Sequence, residues 1–90
     1  MKNAYELAMA RLGGTLRQYT EAQKKELAEI DKTFDVKAAK AKLEADARLC
    51  RAEKPEEVDQ FRADLASELA RLEREREKKK EALRAQFSQQ

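Results

Sequence analysis

The chain has 90 residues, 41% hydrophobic and 42% charged, with two glycines, one proline and no histidine. So much charge spread through one small domain excludes a large buried core and suits long solvated helices, and no segment alternates with the period of a strand. Twenty basic against eighteen acidic residues give a formal charge of +2, too slight an excess to identify a polyanion-binding protein by itself.

The N-terminal stretch MKNAYELAMARLGG opens with Asn3 and Glu6, which fit a capping box. Tyr5, Ala8 and Leu12 then share one helical face, so a short helix is expected before Gly13 and Gly14. Residues 1–19 are accordingly read as a short helix with a Gly-Gly linker. The apolar rhythm continues through Leu16 and Tyr19, and a helix unbroken from Asn3 onward is the alternative. That alternative would cost about 2 kcal/mol for two interior glycines. The stretch lacks an apolar core long enough for a signal peptide, no transmembrane run occurs, and a cytoplasmic protein with no membrane partner is expected.

Residues 20–90 form the second unit. Thr20 followed by Gln23 is another capping-box start. From there Leu27, Ile30, Phe34, Ala38, Ala41, Ala45, Leu49 and Ala52 recur at spacings of three, four and four, which keeps them on one face of a nearly straight helix. Pro55 suits the first position of a new helix because its missing N–H would have no partner there. Glu56 and Glu57 then meet the positive end of the helix dipole. The turn is therefore expected near residues 53–55. Val58, Phe61, Leu65, Leu69 and Leu72, then Leu83 and Phe87, carry the second stripe to a frayed end.

Charge orders the two helices. Residues 20–35 hold five acids and three lysines, net −2, and residues 36–54 six bases and three acids, net +3. Residues 55–68 hold five acids and one arginine, net −4, and residues 69–90 seven bases and four acids, net +3. Folding back at Pro55 lays unlike signs together, whereas a parallel arrangement aligns like signs. The fold class expected is therefore all-α: a long antiparallel two-helix hairpin, coiled-coil-like, with a short N-terminal helix. In this register Phe34 meets Leu72, and Arg76 and Lys80 interrupt the seam opposite Ile30 and Leu27. Arg76 is expected to cover Ile30 with its stem and to reach Glu26 or Asp31 with its guanidinium.

The first long helix carries a second apolar face, Val36, Ala39, Leu43, Ala47 and Cys50, opposite the first. A helix with two apolar faces needs two partners, and the hairpin supplies one. Either the N-terminal segment folds back over it or another protomer covers it, and a homodimer approaching a four-helix bundle, or a helical protein partner, is the expectation. Tyr5, Met9, Leu12 and Leu16 form a further candidate contact surface. Cys50, the lone cysteine, is read as a small buried filler of that face. The competing reading is a nucleic-acid contact through Arg74, Lys78, Lys79, Lys80 and Arg84, which neutralisation of phosphate could use.

Chemistry finds no parts here. Without histidine there is no Ser/His or Cys/His nucleophile pair and no His-ligated metal, and Gly13-Gly14 has no following lysine to make a phosphate loop. A noncatalytic protein without a cofactor is expected, acting by self-association or helix-mediated contact. No known family is identified from these residues.

Overall fold

The computed structural model describes Ala4 and residues 19–89. Among these, all regular structure is helical: α1 spans Glu21–Arg51 and α2 spans Pro55–Ser88. The two helices pack against each other. At 1.5 Å per residue they are about 46 and 51 Å long.

Local chemistry sets both starts. Thr20 is extended, with φ −67° and ψ 163°. Its hydroxyl accepts the Gln23 N–H at 3.1 Å, while the Gln23 side-chain oxygen accepts the Thr20 N–H at 2.9 Å. The expected capping box is therefore present, and the helix does not run back through Thr20 into Tyr19. That removes the alternative of one unbroken helix. The proposed short N-terminal helix and glycine linker otherwise lie outside the described residues.

α1 ends where Ala52 turns extended and donates its N–H to the Leu49 carbonyl. Pro55 then opens α2 at its first turn beside Glu56 and Glu57. The sequence placed both boundaries within a residue or two, because proline and its following acids fix where a helix can begin.

Burial follows the expected stripes. Phe34 and Ala45 of α1 and Leu72 and Phe87 of α2 are buried. Leu27, Ile30, Ala38, Ala41 and Leu49 on α1, Ala52 just past its end, and Val58, Phe61, Leu65, Leu69 and Leu83 on α2, are half-buried. Alanines at 38, 41 and 45 let the axes approach while larger α2 residues fill the space opposite them, as interdigitating helices require.

Contacts at the far end from Pro55 tie the beginning of α1 to the end of α2. The rings of Tyr19 and Phe87 lie 5.6 Å apart at 58°. Asp31 faces Lys80 and Arg76.

Candidate interaction surface

Two places in this fold hold polar or apolar groups that the packing of α1 on α2 does not explain by itself. One is the charged interruption of the seam; the other is the outward face of α1.

The interruption is built on Asp31. Lys80 Nζ donates to both of its carboxylate oxygens, each at 3.1 Å, and Arg76 Nη1 stands 3.6 Å from Oδ1. The Lys80 side chain is only 16% exposed, against 37% for Asp31. Arg76 also donates to Glu73 one turn earlier. That bond is the main cause of its raised pKa, which desolvation opposes and the charges of Glu73 and Asp31 assist. Its Nε is buried with no hydrogen-bond partner, while its two terminal nitrogens face Asp31 and Glu73. The sequence leaves Glu26 and Asp31 both open to Arg76, and the structure brings it to Asp31. The sequence reading did not foresee that Lys80 makes the closer contact, although Lys80 lies one turn on along the same face.

Phe34 sits beside this cluster. Lys37 Nζ lies 4.8 Å and Lys79 Nζ 5.3 Å from its ring centroid. The two lysines thus cover the ring with their stems and favour its face with their charge.

These contacts reduce the proposed polyanion surface. Of its five bases, Lys80 is paired with Asp31, Lys79 stands over Phe34 and Arg84 is paired with Glu81. Arg74, Lys78 and Lys79 are exposed. Two of the five, Lys80 and Arg84, are thus engaged by carboxylates.

Further toward Pro55 the ion pairs stay within α2. Arg71 binds Glu68 and Glu75 on either side of it along the helix. The hydrogen bond from the Arg71 guanidinium holds the Glu68 carboxyl below the usual carboxylate range; desolvation opposes it, and the charge of Arg71 adds a smaller effect in the same direction as the bond. Glu68 and Glu75 in turn raise Arg71. Beside them a shallow open groove is lined by Ala41, Ala45, Phe61 and Leu65, where small residues leave the aromatic ring partly uncovered.

The second face of α1 is where apolar surface meets solvent. Val36 is 61% and Leu43 70% exposed; Ala39, Ala47 and Cys50 are exposed as well. Cys50, read from sequence as a buried filler, is therefore solvent-facing on this pair of helices, because its stripe points away from α2. Tyr5, Met9, Leu12 and Leu16 lie outside the described residues.

Among the described residues, no three His, Cys, Asp or Glu side chains gather in a way that could hold a metal ion, and no helix is long and apolar enough to cross a membrane. No protein-family model, curated protein or solved structure matches this chain.

Proposed function

We propose that this chain is a noncatalytic helical-hairpin protein that works by helix-to-helix contact, through self-association or with a helical partner. The observation that carries this reading is the exposure of Val36 and Leu43 on the side of α1 that α2 does not cover. Leaving two large apolar side chains in water at helical spacing, flanked by alanines, suits a surface that another helix covers. The antiparallel arrangement draws support from the pairing of Asp31 with Lys80 and of Tyr19 with Phe87, which joins the start of one helix to the end of the other.

The test is to replace Val36 and Leu43 together by glutamate and follow mass by sedimentation and helicity by circular dichroism. Burying two carboxylates in an apolar contact is expected to weaken association roughly 100-fold and release monomers. Helicity should persist, since neither side chain packs on α2. An unchanged mass would refute this surface.

A nucleic-acid reading rests on Arg74, Lys78, Lys79, Lys80 and Arg84, of which Arg74, Lys78 and Lys79 are exposed on α2. Retardation of duplex DNA or RNA that falls steeply with salt would support it, and no retardation at low salt would end it.

A further inference from the structure

The outward face of α1 is self-complementary. Its residues, Val36, Ala39, Leu43, Ala47 and Cys50, are spaced three, four, four and three apart, a pattern that reads the same in both directions from Leu43. At about 100° per residue, Leu43 is turned about 180° from the buried Phe34, and all five lie within about 40° of Leu43. Reversing a second copy of α1 about Leu43 sets Val36 opposite Cys50 and Ala39 opposite Ala47. The alanine layers flanking the central leucines allow the axes to come within about 8 Å.

Charge chooses between the two ways of docking a copy on this stripe. Lys40 and Asp46 border it on opposite sides, with Glu44 beyond Lys40 and Lys42 beyond Asp46; all four are exposed. When the second α1 runs antiparallel, Lys40 of each copy stands beside Glu44 of the other, and Asp46 beside Lys42. When it runs parallel, Lys40 stands beside Lys42 and Asp46 beside Glu44, like against like. Each exposed pair contributes only a few tenths of a kcal/mol, yet four contacts that are favourable in one orientation and unfavourable in the other favour the antiparallel one.

We infer that the occupant of this face is a second copy of the chain, its α1 antiparallel to the first about a two-fold axis at Leu43. This rests on the reading of the face as an association surface and adds the partner, the direction and the register. It also fixes the shape. Because the self-docking face lies opposite the one that meets α2, the four helices stand in a row, α2–α1–α1–α2. They form a flat layer, not the compact four-helix bundle expected from the second apolar face.

Cysteine pairing tests the register. In the proposed dimer the two Cys50 residues are about 21 Å apart along the axis, the rise over positions 36 to 50, so the wild-type chain should give no covalent dimer under mild oxidation. Val36→Cys should give a dimer locked by disulfides between position 36 of one chain and Cys50 of the other. The same two positions on one helix are too far apart to close within a chain. Leu43→Cys combined with Cys50→Ser should also cross-link, on the axis itself, and Val36→Cys combined with Cys50→Ser should not. Circular dichroism verifies that each variant stays helical, and the wild-type result needs no substitution at all. Ready cross-linking of wild type through Cys50 alone would overturn the antiparallel register in favour of a parallel one. Absence of cross-links in Val36→Cys, with wild type still dimeric in sedimentation, would overturn this register while leaving association through the face intact. A monomeric wild type would overturn both.

Discussion

The two halves of the helical pair are held by different physics. Near Pro55, Ala41 and Ala45 lie against Phe61 and Leu65, and the ion pairs of Arg71 run along α2 without crossing to α1. Toward Thr20, Phe34 and Leu72 are buried, and then a charged knot of Asp31, Arg76 and Lys80 crosses between the helices before Tyr19 closes on Phe87. Small-on-large apolar packing tolerates a slip along the axis better than a carboxylate that must meet two particular bases does. The half near the turn is therefore covalently registered by the turn itself. The distal half, farthest from that restraint, carries the polar contacts that specify which residues meet, a role such groups play at some cost in stability.

The difference is sharpest in what each aromatic residue should contribute. Phe34→Ala empties a site only 4% exposed and strips Lys37 and Lys79 of the ring they cover. It should cost about 3–5 kcal/mol in thermal or denaturant unfolding. Phe61→Ala, in the open groove against alanines, should cost clearly less, because its ring is already partly in water. Equal losses at the two positions would mean that both halves are packed alike.

Much of this arrangement could be read from the residues. Three-four-four spacing predicted which α1 side chains are withdrawn from solvent, and Thr20 with Gln23 and Pro55 with Glu56 announced both helix starts, because each is a local rule that needs no knowledge of the partner. The ring pair Tyr19–Phe87 was not legible: Tyr19 lies before the extended Thr20 that starts α1, so helical spacing does not carry the register to it. The engagement of Lys79 and Lys80 was equally hidden in a run that looked like a uniform basic end. Consecutive positions on a helix point about 100° apart, so three successive lysines have three different surroundings. One meets Asp31, one the ring of Phe34, and Lys78 faces outward. The outward stripe of α1 was legible as apolar, yet its exposure is a property of how α1 and α2 face each other and needed coordinates.

The charged knot can be broken separately from the packing around it. Asp31→Ala leaves Lys80, with its mostly covered side chain, short of a counter-charge. It should cost about 1 kcal/mol, between the values for exposed and for buried pairs. Replacing Asp31 and Lys80 together by leucine should restore or raise the melting temperature, since apolar residues of similar size often match or exceed an ion pair that must be desolvated. If the double replacement is the less stable of the two, the knot contributes more to stability than to register, and the contrast between the halves disappears.

The smallest effect belongs to the half near the turn, where Glu68 interacts with Arg71 on its own helix. Its carboxyl is held below the ordinary value of 4.5 by the hydrogen bond from Arg71. A group whose folded value is depressed contributes stability that is present above the unfolded value and lost as pH falls through the folded one. Glu68→Gln should therefore melt slightly below wild type near pH 7, and the gap should close as pH falls below 4.5 and on through the lowered folded value, where the wild-type carboxyl takes up its proton. Since Glu68 pairs along α2 and not across the seam, the same substitution should leave the mass in sedimentation and the disulfide pattern of Val36→Cys unchanged at either pH. A gap that widened in acid would mean that the carboxylate is disfavoured in the folded chain, opposite to what its contact with Arg71 requires.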